Sequence, residues 1–224
     1  MKILAIETVG TTGSVAAFEA DRLVATAMLD SRRRSAQSLA PGIQQLFEQV
    51  AWRSADVQLV AVASGPGSFT GLRIGVTTAK AFAFAVGCEL VGVNSLLAIA
   101  SRAPAEIDHL EAVLDAGRGE FFVAGFARVE GEMKEREPTR TMSSTQWLSS
   151  LRPSQVVSGP GLAKLELPLP EGVTSLSPLL WAVDAESIGR TGWRLYREGQ
   201  RDTAFSLQPQ YFRRTAAEEQ WERR

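Results

Sequence analysis

The chain has 224 residues, 45% of them hydrophobic, enough to bury one large core or two small ones. A formal net charge of −1 leaves no electrostatic footprint for nucleic acid, which sets extensive direct RNA binding aside. The single cysteine, Cys88, excludes an internal disulfide, suits a reducing compartment, and reads as an inert buried thiol in Val86-Gly87-Cys88-Glu89-Leu90.

Apolar periodicity predicts strands over 2–7, 13–19 and 23–29, a helix over 35–50, a strand over 59–63, a helix after Thr70 and a strand over 90–93. A short helix over 95–101, with Ala103-Pro104 following, marks the boundary between two units, 1–101 and 102–224. The second unit reads as strands over 112–115, 120–129 and 134–141, a helix over 144–151, a strand over 155–158 and a longer helix over 178–198. Between them, 159–178 reads as irregular connection, and Arg32-Arg33-Arg34 as a solvated turn. Three antiparallel strands feeding βα units, twice over, predict an α/β fold of two tandem ribonuclease-H-like units, each a mixed sheet flanked by helices. The N-terminus opens on a strand pattern rather than a signal peptide, and Lys80 interrupts the longest apolar stretch, so a cytoplasmic protein without a membrane span is expected.

The segment Ser64-Gly65-Pro66-Gly67-Ser68-Phe69-Thr70-Gly71-Leu72-Arg73-Ile74-Gly75 joins an apolar strand to a small-residue-rich helix. Its glycines permit positive φ and leave backbone N–H groups uncovered near a helix N-terminus, which suits an anion or a closely approaching partner. A P-loop would need Lys and Ser or Thr after its last glycine, where Leu72-Arg73 stand, and Gly65, Gly67 and Gly71 miss the dinucleotide spacing by one. A tight strand-to-helix turn without a ligand stays open as the alternative.

This segment, with Ile3-Leu4-Ala5-Ile6-Glu7-Thr8, Ser14-Val15-Ala16, Gly92-Val93-Asn94-Ser95-Leu96, Leu114-Asp115-Ala116-Gly117-Arg118-Gly119-Glu120 and Pro209-Gln210-Tyr211-Phe212-Arg213, resembles the TsaB (YeaZ-type) family of tRNA threonylcarbamoyladenosine synthesis. The resemblance spans nearly the whole chain and implies the duplicated actin-like ATPase fold. It also implies an accessory subunit without independent catalysis that supports a TsaD-type transferase, with a TsaE-type ATPase in the full complex, tRNA met through the complex, and a homodimer as a further state. A stand-alone actin-like ATP-dependent kinase is the enzyme-class alternative.

Glu7 and Asp115 end the leading strands of the two units. In actin-like ATPases, acids so placed organise a metal and nucleotide phosphates, so the resemblance implies a vestigial nucleotide cleft at Glu7, Thr8, Gly67, Asp115 and Arg118, with weak ATP or ADP and magnesium as its cofactors. The competing reading is local: a carboxylate at a strand end accepts N–H bonds from the next turn. Metal hydrolysis is disfavoured because His109 is the only histidine, and neither a metal site nor a Ser/His/Asp triad is expected.

Gly71, Gly75, Ala79 and Ala83 recur every four residues, a ridge that lets another element approach the helix backbone. Either a partner helix or the chain's own sheet could fill it. The resemblance implies that this helix and the one before it meet the TsaD-type partner or a second copy, and the expected interface is Ser35, Leu39, Gly71, Leu72, Gly75, Val76, Ala79 and Ala83. Two departures stand out. The family often has a histidine before the first helix, where Arg34-Ser35-Ala36-Gln37 stands, and a tyrosine after Gly-Glu, where Phe121-Phe122 stands.

Overall fold

The computed structural model describes residues 1–30 and 35–213, Ser35 by its backbone alone. The Arg32-Arg33-Arg34 turn lies outside the described residues. The first unit runs β1 (Lys2–Glu7), β2 (Ser14–Glu19), β3 (Arg22–Met28), α1 (Ser35–Val50), β4 (Leu59–Gly65), α2 (Phe69–Val86), β5 (Glu89–Asn94) and α3 (Ser95–Ala100). The second runs β6 (His109–Gly117), β7 (Glu120–Val129), β8 (Glu132–Ser143), α4 (Ser144–Ser150), β9 (Val156–Ser158), β10 (Thr174–Ser175) and α5 (Ala185–Arg197).

The two five-stranded sheets have the same plan. The first is ordered β3-β2-β1-β4-β5 and the second β10-β9-β6-β7-β8, so in each the leading strand lies between an antiparallel meander and two parallel strands. Strand β1 is apolar on both faces because both are covered. Leu4 and Ile6 join the core under α1 and α2, and Ile3 and Ala5 join the core under α5. Helices α3 and α4 cover opposite faces of the second sheet, where Trp147 donates to the buried Glu111 carboxylate and meets Phe121 edge-on at 5.5 Å. Burial pushes the Glu111 carboxyl up.

Two expectations shift. The last helix begins at Ala185 rather than 178, because Asp184 and Ser187 form a capping box while Pro178–Leu180 make a separate 3-10 turn. It also leaves the second unit and packs on the first sheet. A Cβ at Gly192 would stand 2.5 Å from the Ala61 Cβ, and one at Gly189 would overlap the Phe18 ring, so these glycines set how closely α5 lies on the sheet. No helix among the described residues is long and apolar enough to cross a membrane.

Candidate functional site

Residues at the carboxyl ends of β1, β4 and β6 line a cleft of about 1350 Å³ between the sheets, the end at which open α/β sheets gather ligands. Glu7 is not on its wall. The side chain is fully buried, with Oε1 accepting the N–H groups of Val9 at 2.5 Å and Gly10 at 2.7 Å. Oε2 is also buried and has no hydrogen-bond partner among the described residues. Burial drives the Glu7 carboxyl up to about 7; the Gly10 and Val9 N–H groups oppose the rise, and the Asp184 carboxylate adds to it.

The glycine segment closes tightly on the turn after β1. Thr8 Oγ1 donates to the Gly71 carbonyl at 2.7 Å, and a Cβ at Gly71 would overlap the Thr8 carbonyl oxygen. Gly67 has φ +155°, and a Cβ there would stand 2.6 Å from the Val9 Cβ. The Ser68 hydroxyl caps α2 by accepting from Gly71 N at 3.3 Å, while Ser68 N donates to the Val9 carbonyl at 3.3 Å.

Asp115, near the end of β6, and Arg118, on the β6–β7 turn, do stand on the cleft wall, both exposed. Asp115 Oδ1 accepts the Gly117 N–H at 2.7 Å, the local turn bond that such a carboxylate commonly makes. The two strand-end acids therefore do not meet across the cleft: one faces it and the other lies beneath the Val9–Gly10 turn. Among the described residues no group of three or more His, Cys, Asp or Glu side chains could hold a metal. Buried beneath its turn and bonded to the Val9 and Gly10 N–H groups, Glu7 offers no ligand to a metal in the cleft.

The expected interface ridge requires a correction. Leu39, Gly71, Leu72, Gly75, Val76, Ala79 and Ala83 are all buried within the chain itself. Gly71 and Gly75 face Thr8, and Val76, Ala79, Ala83 and Leu39 belong to the core of the first sheet. The small residues bring α2 close to its own sheet, so a partner cannot use them without opening the core. The Ser35 side chain lies outside the described residues. What α2 turns outward is Thr70, Arg73, Thr77, Ala81, Phe84 and Ala85, with Phe84 74% exposed. Beside it α1 turns out Ala40, Pro41, Gln44 and Glu48, and the two helices meet through Phe47 and Phe82 at 6.0 Å between rings.

A feature that sequence reasoning registered only as resemblance is the tail through Arg213. Gln210 N donates to the Ser64 carbonyl at 2.7 Å, and Lys80 Nζ donates to the Leu207 carbonyl at 3.0 Å. Tyr211 packs 4.8 Å from the Phe69 ring and accepts from Arg73 Nε at 3.1 Å. Arg213 then reaches the second unit, donating to the Ala116 carbonyl at 2.8 Å and pairing with Glu120 at 3.4 Å. The tail is thus a clasp between α2 and the β6–β7 turn. Ser14 and Asp184 were also missed: Ser14 Oγ accepts the Ala185 N–H at 2.8 Å, and Asp184 binds Arg102 at 2.8 Å.

The family model described as TsaD, tRNA N6-adenosine threonylcarbamoyltransferase, matches residues 29–221. The chain is 28% identical over 152 residues to the tRNA threonylcarbamoyladenosine biosynthesis protein TsaB of Bacillus subtilis, covering 68% of this chain and 66% of that protein. It is 31% identical over 144 residues to the protein of the same name from Escherichia coli, covering 63% and 62%. These matches span just under two thirds of the relatives' length. The structure of YeaZ from Pseudomonas aeruginosa superposes with a TM-score of 0.80 at 22% identity, covering 94% of this chain and 99% of that one, which shows the same fold. The chain belongs to the family of that TsaD model, and within it is similar to the TsaB proteins, with the fold of YeaZ.

Proposed function

We propose that this chain is an accessory subunit in the synthesis of threonylcarbamoyladenosine on tRNAs that read codons beginning with A, and that it acts by docking a TsaD-type catalytic subunit. The names of its relatives support the pathway. The observation that carries the docking role is the outward side of α1 and α2, where Phe84, 74% exposed, stands with Ala81, Ala85, Ala40 and Pro41 on two adjacent helices. Apolar surface displayed on a rigid helix pair is what a partner helix covers.

On this reading a TsaE-type ATPase joins the assembled pair, tRNA is met through the complex, and the same helix face supports a homodimer before the partner arrives. The work is cytoplasmic. ATP or ADP with magnesium binds the isolated chain weakly, and turnover is negligible. The stand-alone kinase reading is disfavoured by the geometry of the two acids, since Glu7 is buried while Asp115 is exposed. Co-purification with a TsaD-type protein tests the proposal: co-elution is expected, and robust phosphorylation of a small molecule by this chain alone would overturn it.

A further inference from the structure

We propose that residues 210–213 relay between the outer face of α2 and the cleft wall, so that an acidic side chain of a docked protein, seated on Arg73, loosens the β6–β7 turn. Arg73 is an exposed cation, and no carboxylate pairs with it among the described residues. Its guanidinium instead lies over the Phe69 ring at 4.0 Å, and its Nε donates to the Tyr211 hydroxyl at 3.1 Å. Held by one ring face and one neutral acceptor, the group carries an uncompensated charge at a fixed place on the docking face. The other outward residues of α2, Thr70, Thr77, Ala81, Phe84 and Ala85, are uncharged. A nucleic-acid backbone needs several cations together, whereas one cation beside apolar surface suits a carboxylate on a protein that covers the helix.

The tail is moored on both units. On the first, Gln210 N donates to the Ser64 carbonyl at 2.7 Å, and the Gln210 carbonyl oxygen lies so close to Gly65 that a Cβ there would stand 2.6 Å from it. On the second, the Phe212 carbonyl accepts from Thr141 Oγ1 at 3.0 Å, and Arg213 Nη1 donates to the Ala116 carbonyl at 2.8 Å. Tyr211 stands between these moorings, and its side chain is held on α2 by Phe69, 4.8 Å away between ring centres, and by Arg73. A carboxylate arriving at Arg73 makes charge-assisted bonds to the guanidinium edge, stronger than the bond from Nε to a neutral hydroxyl. It therefore draws Arg73 off Tyr211, and the freed ring loosens the two residues that follow. Asp115 and Arg118 flank the Ala116 and Gly117 carbonyls that Arg213 holds, so an event on the helix face reaches the cleft wall.

A docked protein as the source of the acid rests on the docking reading above, while the relay itself is testable in the full chain alone. Arg73→Ala and Tyr211→Phe change exposed residues that make no bond to the β6–β7 turn. Hydrogen exchange at the turn amides is nevertheless expected to quicken about threefold or more in both variants, while β1 and β4 stay protected. Adding Arg213→Ala to Arg73→Ala should quicken the turn no further than Arg213→Ala does alone. A turn that exchanges as in the wild type in both single variants overturns the relay, as does full additivity in the double variant. In a complex with a TsaD-type protein the turn should quicken as it does in Arg73→Ala. A complex formed through α1 and α2 with the turn unchanged would overturn the proposal, whereas failure to form any complex counts against the docking reading and leaves the exchange results to decide the relay. Bulk tRNA that quickens the turn of the free wild type would make the seated anion a phosphate and overturn the choice of a carboxylate.

Discussion

Thr8 and Gly71, 63 positions apart, are locked together at the mouth of the cleft: the Thr8 hydroxyl donates to the Gly71 carbonyl at 2.7 Å, and the Thr8 carbonyl fills the space that a Gly71 Cβ would need. Substitution on this ridge should therefore act on the fold. Gly75→Leu, which drives a side chain into Thr8 Oγ1, is expected to cost about 3 kcal/mol or more, and Ala79→Arg to strand a charge in the core. Thermal melts check this. A variant that melts like the wild type would return the ridge to the surface.

Substitutions on the outward face should behave in the opposite way. Ala81→Arg and Phe84→Asp replace exposed residues, so stability should stay within about 0.5 kcal/mol of wild type while association with a TsaD-type partner is lost. Light scattering and co-elution separate the two effects.

Glu7 gives the stability a pH dependence of fixed sign. Its carboxyl stands at about 7 in the fold against an ordinary value of 4.5, so the folded state holds the proton more tightly. The resulting stabilisation is fully present below pH 4.5 and is lost as pH rises to about 7, by up to about 3 kcal/mol in all. Glu7→Gln should flatten this part of the profile and gain on the wild type toward pH 8. Denaturant melts at pH 5, 6, 7 and 8 would show it; parallel profiles for the two proteins would place the titration elsewhere.

The tail clasp should be separable from the core. Arg213→Ala removes the bonds to Ala116 and Glu120 and leaves both sheets intact, for a cost of about 1–2 kcal/mol. Hydrogen exchange should quicken at the Gly117–Glu120 turn and over Gln210–Phe212 while β1 and β4 stay protected. Unchanged exchange at that turn would mean that the clasp holds nothing.

Strand periodicity and turn chemistry carried most of the architecture, because β1, β4 and β7 bury long apolar runs whose length and flanking residues mark them as strands. Their tandem order made the duplication legible before any coordinate. Periodicity at Gly71, Gly75, Ala79 and Ala83 also signalled a close approach, yet spacing says nothing about what approaches, and the chain's own Thr8 does. The return of α5 to the first sheet rests on Gly189 meeting Phe18 and Gly192 meeting Ala61, contacts about 130 to 170 positions apart that no local pattern encodes. Glu7 and Asp115 occupy equivalent strand ends in sequence; only the fold reveals that one lies under its turn and the other beside it.

Docking through the outer face of α1 and α2, as proposed, makes threonylcarbamoyladenosine formation depend on that face, and the nucleoside content of tRNA reads this dependence. Cells whose only copy carries Phe84→Asp, with the protein verified as folded and present at wild-type levels, should lose the modification as fully as cells lacking the chain. Mass spectrometry of tRNA nucleosides reads this directly. Wild-type threonylcarbamoyladenosine in the variant cells, or in cells without the chain, would contradict the account.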